Sequence, residues 1–312
     1  MKRGSSGLNL LLGVDKPEGL SSHDVVNRVR GILRERRVGH AGTLDPAATG
    51  VMVVGVGQGT RLMGLLTAET KSYVATIAFG TSTNTDDAEG EVTDTRDVPK
   101  ALEDPSFAKG VFEGLVGSQL QTPPSYSAIS IDGRRAYQRA RAGEELDLAA
   151  RPIDVKEAIL LGIVRRDSDD TLCWTCAFTV SKGTYIRAIA RDLGLAAGTC
   201  AHLCALRRTA SGTVNLKDCV TLDELSERGA ERVGEVCLDP VVALGLTRCD
   251  LSARELEDVI CGRRLSRRGR DLGEGELVSM VHGDKLYGVW EAHDRSVRSK
   301  VSFPHGIGGV GV

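Results

Sequence analysis

Val38-Gly39-His40-Ala41-Gly42-Thr43-Leu44-Asp45-Pro46-Ala47-Ala48-Thr49-Gly50 places one histidine, one carboxylate and three glycines within thirteen residues. A helical pattern runs into this stretch and the apolar run Val51 to Val56 leaves it. Asp45 is the only acid between Glu35 and Glu69. Glycine tolerates positive φ and lets a second backbone or a ligand come close. Pro46 fixes its own φ and drives Asp45 toward extended backbone. The stretch reads as a rigid loop that presents one carboxylate beside one imidazole, with a strand behind it. On spacing alone it is equally a glycine turn whose aspartate bonds its own backbone.

Outward from that loop, the chain has 312 residues, enough for two domains or one large domain with an appendage. At 41% apolar it has the makings of an ordinary soluble core, and at 4% aromatic that core is expected to be aliphatic. No apolar run reaches the roughly 20 residues of a membrane helix, so no membrane partner is expected. Leu8 to Val14 is too short and too soon followed by Asp15-Lys16 to serve as a signal peptide, so a cytoplasmic location is expected. Eight cysteines all lie beyond residue 172 and are expected to be reduced. Cys173, Cys176, Cys200, His202 and Cys204 raise the question of zinc. A strand over Cys173 to Val180 would put Cys173 and Cys176 on opposite faces, and tetrahedral sites need convergent ligands. No residue set calls for a metal or a nucleotide cofactor. Gly55-Val56-Gly57-Gln58-Gly59 lacks the spacing and the strand-to-helix setting of a dinucleotide loop.

The net charge of −2 is not that of a general nucleic-acid binder. Locally, five arginines fall between Arg28 and Arg37, four between Arg134 and Arg141, and five between Arg263 and Arg270. Such runs are solvated faces or phosphate contacts. The first abuts the His40–Asp45 loop.

The pattern predicts a strand over Leu8–Val14 and a Pro/Gly turn at Lys16-Pro17-Glu18-Gly19. Ser21 or Ser22 caps a helix whose apolar face holds Val25, Val29, Ile32 and Leu33. Strands are expected over Lys71–Gly80 and Thr171–Val180, and helices around Pro105–Leu115 and from about Ile186 to Ala197, with Gly198 as a stop. Thr221–Glu224 and Ser252–Glu255 are capping boxes, the second opening a helix to Cys261. Strands follow at Leu277–Val281, Leu286–Glu291 and Ser296–Phe303, and Gly306–Val312 is expected to be a flexible tail.

Gly39-His40-Ala41-Gly42-Thr43-Leu44-Asp45-Pro46-Ala47-Ala48-Thr49-Gly50 closely resembles the G-H-x-G-x-L-D-P-x-A-T-G motif of the TruB family of tRNA pseudouridine synthases. Four further motifs follow the family's order. They are the strand with Lys16-Pro17-x-Gly19 and Ser21-Ser22; Lys71-x-Tyr73; Lys182-Gly183-Thr184-Tyr185-Ile186-Arg187; and Leu206-Arg207-Arg208. The loop Gly80 to Gly90 resembles the family's G-x-x-T-D-T-x-D-x-x-G, with Asp87 kept and Asn84 where the family usually has Asp. Residues 121–153 resemble the bacterial insertion that grips the tRNA arm, with Ser130 where a lysine is common.

The resemblance implies an α+β pseudouridine synthase fold: a mixed, largely antiparallel central sheet with flanking helices and the RNA-gripping insertion. A small C-terminal PUA-like β-rich domain would follow. The implied limits are 1–238 for the catalytic domain, 248–305 for the PUA-like RNA-binding domain, and 306–312 for the tail. It implies isomerisation of uridine to pseudouridine at position 55 in the T-loop of tRNA. tRNA is the expected partner through its T-arm, with no obligate protein partner and a monomeric state. Asp45 would be the catalytic carboxylate. His40 would fill the space the flipped base leaves, Tyr73 would stack on the uracil, and Tyr185 and Leu206 would line its pocket. Arg187 would pair with Asp45 and keep it ionised. Asp87, Lys182, Arg208, Arg134, Arg139 and Arg141 are implied RNA-side residues, Lys182 and Arg208 as phosphate contacts. The alternative is a non-catalytic tRNA-folding protein using the same surface.

Overall fold

Ser21 starts the first helix. Its hydroxyl accepts from the Asp24 amide, and the Asp24 carboxylate accepts from the Ser21 amide, a reciprocal cap. The helix α1 (Ser22–Leu33) turns Val25, Val26, Val29 and Leu33 inward. It packs against the strand β1 (Leu10–Lys16), as the apolar spacing predicts. The computed structural model describes residues 6–67, 70–127, 129–131, 134–141, 144, 147–267 and 271–311, and leaves aside the side chains of residues 130, 131, 134, 135, 138, 140 and 141.

Between α1 and the glycine loop the chain forms β2 (Val38–Ala41), a short strand where the sequence suggested a helix running straight in. β3 (Thr49–Val56) pairs antiparallel with β2, from Val38 opposite Val56 to Ala41 opposite Val53. Its other edge pairs antiparallel with β1, Lys16 facing Gly50. Gly55, Gly57 and Gly59 belong to close backbone packing. A Cβ on Gly59 would sit 2.3 Å from the Leu10 carbonyl oxygen, and one on Gly55 would sit 2.6 Å from the Gly59 carbonyl. Only glycine fits a turn pressed against two strands in this way.

Residues 70–209 form one compact unit. It contains β4 (Lys71–Phe79), α2 (Pro105–Leu115), β5 (Gly117–Gln121), β6 (Arg151–Arg165), β7 (Leu172–Val180), α3 (Ile186–Ala196) and β8 (Ala201–Ser211), the last crossing the unit's boundary. The sheet order is β8-β4-β7-β6-β5, and β4–β7, β7–β6 and β6–β5 are antiparallel. The core is less uniformly aliphatic than the composition suggested. Phe79, Phe112, Trp174 and Phe178 gather with ring centroids 4.8–5.8 Å apart, and the Trp174 indole donates to the Leu102 carbonyl at 2.9 Å. Within the insertion, the backbone forms a helix over Ala136–Arg141, two residues later than the arginine run begins.

The other unit joins residues 1–69 with 210–312. The expected boundary near residue 240 is therefore replaced by divisions at 69/70 and 209/210. The reason is burial: Leu11, Val51, Val53 and Leu62 share one apolar core with Leu238, Val281, Leu286, Phe303 and Ile307. α4 (Leu222–Arg232), capped by Thr221, lays Leu222 and Leu225 against the α1 side of β1. The C-terminal part is β-rich. It holds β9 (Thr247–Asp250), α5 (Ala253–Ile260), β10 (Leu277–His282), β11 (Lys285–His293) and β12 (Ser296–Gly308). The sheet order is β9-β10-β11-β12, with the short strand Leu265–Ser266 on β12; β9–β10 is parallel and the pairs β10–β11 and β11–β12 are antiparallel.

The expected flexible tail is corrected here. β12 continues through Gly308, whose amide donates to Asn9 O at 2.9 Å. The Gly311 amide donates to the Asp239 carboxylate at 2.7 Å, and Val310 is buried. Gly309, at φ 100, passes so close to Leu238 that a Cβ would lie 2.8 Å from its carbonyl oxygen. The glycines allow a tight approach to the core instead of supplying freedom.

Candidate active site

Asp45 opens a turn in which its carbonyl accepts from the Ala48 amide at 3.1 Å. Pro46 occupies the next position, where a fixed φ suits the turn. Gly42, at φ 85, bends the chain out of β2, and Gly50, at φ 104, brings it into β3. The Asp45 side chain is half-buried.

Three groups outside the loop hold it. The Lys16 side chain is fully buried and donates to the carbonyls of Pro17 (2.9 Å), Pro46 (3.0 Å) and Ala48 (2.6 Å). The Ser22 hydroxyl accepts from the Leu44 amide at 2.8 Å and donates to the Leu44 carbonyl at 2.9 Å. The Gly19 amide donates to Pro46 O at 2.9 Å. A buried ammonium is costly unless its hydrogen bonds are satisfied, and three carbonyls satisfy this one. The K-P-x-G turn and the Ser21-Ser22 pair therefore divide their work: Ser21 caps α1, and Ser22 pins the residue before the carboxylate. Lys16 and Ser22 are letters of the first motif, but nothing in their sequence setting marks them as the loop's supports. His40 lies on β2, its backbone opposite Val54, half-buried.

In residues 70–209 the remaining candidates gather around α3. Tyr73 is buried on β4, opposite Phe178. Tyr185 caps α3 without a side-chain cap bond. Gln121 clasps its backbone, the amide nitrogen donating to Tyr185 O at 3.1 Å and the amide oxygen accepting from Tyr185 N at 2.9 Å. Gln121 is buried, and its place at the start of the insertion gives no sequence signal of this role.

Arg187, 5% exposed, donates to Thr85 O at 2.8 Å and Tyr126 O at 3.0 Å, and lies 3.3 Å from the Asp87 carboxylate. One turn later on α3, Arg191 pairs with Asp86 at 3.0 Å and donates to Thr122 O at 2.8 Å. Asp86 takes φ 60, so two adjacent carboxylates reach two arginines four residues apart. Burial pushes the Asp86 carboxyl up, against the opposing charge of Arg191. Asp87 also accepts from the Thr85 hydroxyl at 2.6 Å and the Glu89 amide at 3.1 Å. The departure at Asn84 has a physical reading. Its side-chain oxygen accepts from the Glu91 amide at 3.1 Å, and its own amide donates to Glu91 O at 3.0 Å. An amide oxygen serves there as well as a carboxylate oxygen would.

Leu206 is half-buried on β8 and Lys182 is exposed on the turn before α3. Arg208 requires a correction: its side chain is fully buried, so β8 offers no exposed guanidinium there for a phosphate. Its inward direction follows from strand alternation, which puts Arg207 on the opposite face. Arg139 is half-buried and paired with Glu144 at 2.6 Å, which neutralises part of the insertion's charge. The side chains of Arg134 and Arg141 lie outside the described residues. Among the described residues, no group of three or more His, Cys, Asp or Glu side chains could hold a metal ion, and no helix is long and apolar enough to cross a membrane.

The model of the TruB family pseudouridylate synthase N-terminal domain matches residues 30–186. That of the tRNA pseudouridylate synthase B C-terminal domain matches residues 187–243. The chain belongs to the TruB family of pseudouridylate synthases. A relative named tRNA pseudouridine synthase B in Mycobacteroides abscessus is 48% identical over 276 residues, 88% of this chain and 90% of that protein. Relatives of the same name in Thermobifida fusca and Streptomyces coelicolor are 47% and 42% identical, over 82% and 94% of this chain and 86% and 96% of theirs. Among solved structures, a Cbf5-Nop10-Gar1 complex matches with a TM-score of 0.71 at 23% identity, over 96% of this chain and 87% of that one. An archaeal box H/ACA Nop10-Cbf5 complex matches with a TM-score of 0.69. This likeness establishes the pseudouridine synthase fold, with a large mixed sheet and a β-rich C-terminal part.

Proposed function

We propose that this protein isomerises uridine to pseudouridine in tRNA, at position 55 of the T-loop, with Asp45 as the catalytic carboxylate. The observation that carries the assignment is the framed turn: a TruB motif whose one carboxylate is half-exposed while the backbone around it is pinned by Lys16 and Ser22. A fixed carboxylate is what a reaction through a positive sugar carbon needs.

The reaction breaks N1–C1′, turns the base, forms C5–C1′, releases the C5 proton and protonates N1. Atoms balance with no water or redox partner. Cleavage builds oxocarbenium character at C1′, which Asp45 stabilises or traps. Glycosidases use two carboxylates because an alkoxide leaves and water must be activated. Uracil leaves as a delocalised anion and is recaptured, so one carboxylate suffices. The target base must leave its stack, at a cost of a few kcal/mol that pocket contacts offset. Tyr73, Tyr185 and Leu206 are proposed to hold the flipped uracil and His40 to occupy the space it leaves. Arg187 and Asp87 brace the loop and helix that carry those contacts. Lys182, Arg134, Arg139, Arg141 and the β-rich C-terminal part are proposed to meet RNA along its backbone. The protein is proposed to act as a monomer in the cytoplasm without an obligate protein partner.

The test uses a T-arm hairpin tritiated at uridine C5, with wild type and Asp45→Asn side by side. Tritium release at one uridine by wild type alone, with hairpin binding retained by the variant, is the expected result. Equal release by Asp45→Asn overturns the role of the carboxylate. Tight binding without release by either protein favours the RNA-folding reading.

A further inference from the structure

Cys204 and His202 occupy one face of β8, two residues apart, and the thiol sulfur lies 3.6 Å from His202 Nε2. The other ring nitrogen is fixed by Thr81. Nδ1 is 3.0 Å from the Thr81 carbonyl oxygen and 3.2 Å from its hydroxyl. A carbonyl only accepts, so Nδ1 carries the hydrogen and the Nε2 lone pair faces the thiol. A backbone group thus sets the tautomer that can take the Cys204 proton. Arg166 approaches from the turn between β6 and β7, with Nη1 3.9 Å from the sulfur. The other edge of that guanidinium is bound by Asp169 at 2.9 and 2.5 Å. A second thiol, Cys173 at the start of β7, donates to Thr171 O at 3.7 Å. Cys204 is half-buried and Cys173 is buried.

We propose that Cys204 is a peroxide-reactive thiolate, activated by His202 and Arg166. Thiolate, and not thiol, is the nucleophile, and cationic neighbours with partial exposure are what create one. The neighbouring Cys173 thiol and the contact with His202 hold the Cys204 thiol below its usual range, against the effect of burial. Cys204 in turn pushes the His202 imidazole up. The charged and titratable groups facing the sulfur are Arg166, His202 and Cys173, with Asp169 behind Arg166.

The chemistry closes without a cofactor. The Cys204 sulfur attacks one peroxide oxygen; an S–O bond forms and the O–O bond breaks. The departing hydroxide takes the His202 proton and leaves as water. Sulfur is oxidised by two electrons to sulfenic acid and peroxide is reduced.

The test is peptide mapping of the full-length reduced protein. Brief iodoacetamide treatment at pH 6 is expected to label Cys204 at least tenfold faster than the exposed Cys261, because an ordinary thiol loses about tenfold in reactivity per pH unit below its pKa. His202→Ala should cut the Cys204 rate at pH 6 with little change at pH 9. Hydrogen peroxide should then yield sulfenic acid on Cys204, trapped by dimedone, and His202→Ala should slow its formation at pH 6. Labelling of Cys261 ahead of Cys204 overturns the activated thiolate. Preferential labelling of Cys204 with no dimedone adduct after peroxide overturns its peroxide reactivity.

Discussion

Replacing Lys16 by methionine tests whether the buried ammonium holds the Asp45 loop. Methionine keeps most of the volume and removes the charge. Three carbonyls lose a donor. Pro46 O retains the Gly19 amide at 2.9 Å, so the carbonyls of Pro17 and Ala48 bear most of the loss. An acceptor left unsatisfied in the interior costs about 1–3 kcal/mol, or about 2–6 kcal/mol for two. Against this, the variant no longer desolvates an ammonium, which recovers part of the sum. A net loss of about 3 kcal/mol follows, about 6–12 °C in Tm at ~2–4 °C per kcal/mol. The loop that loses its frame carries the carboxylate, so turnover should fall more than about tenfold, equivalent to ~1.4 kcal/mol of transition-state stabilisation. Hairpin affinity should change far less, since phosphate contacts dominate it. Thermal unfolding, single-turnover tritium release and hairpin titration measure the three quantities. A variant that melts with wild type and turns over within about twofold of it would refute the view that Lys16 supports the loop.

Gln121→Leu removes both clasps on the Tyr185 backbone; a loss of about 1–3 kcal/mol in urea unfolding is expected, with slower tritium release and near-normal hairpin binding. Gly59→Ala forces a Cβ to within 2.3 Å of Leu10 O and should cost about 1–3 kcal/mol; an unchanged urea midpoint would show that the turn can shift. Glu35 is buried, which raises its carboxyl, but bonds from the Arg37 amide (3.0 Å) and Ser6 hydroxyl (2.7 Å) outweigh burial, leaving it below its ordinary value of 4.5. A depressed carboxyl stabilises the fold above its unfolded pKa and loses that contribution as pH falls through the folded one. Glu35→Gln should therefore be about 1–2 kcal/mol less stable than wild type near neutral pH, with the gap closing below about pH 4.5; a gap that widens in acid would contradict this sign.

What the sequence determined by itself is local. Ser21 with Asp24, Thr221 with Glu224 and Ser252 with Glu255 each close a bond three residues apart, and the helices begin where these caps stand. The apolar faces of α1 and the alternation of β4 and β7 follow from side-chain periods of 3.6 and 2. The Asp45 loop was legible because Gly, Pro and Asp act through their own backbone geometry. The parts decided only by the tertiary structure are pairings across long stretches of chain. Lys16 finds Ala48 across 32 residues and Gln121 finds Tyr185 across 64. Arg208 turns inward although its neighbours in sequence are arginine and threonine, and the glycine tail docks on Asn9 and Asp239. No periodicity encodes such partners. A lysine that will be buried reads like any surface lysine until the fold surrounds it with carbonyls, because the cost of removing its charge from water is met only by groups that packing brings together.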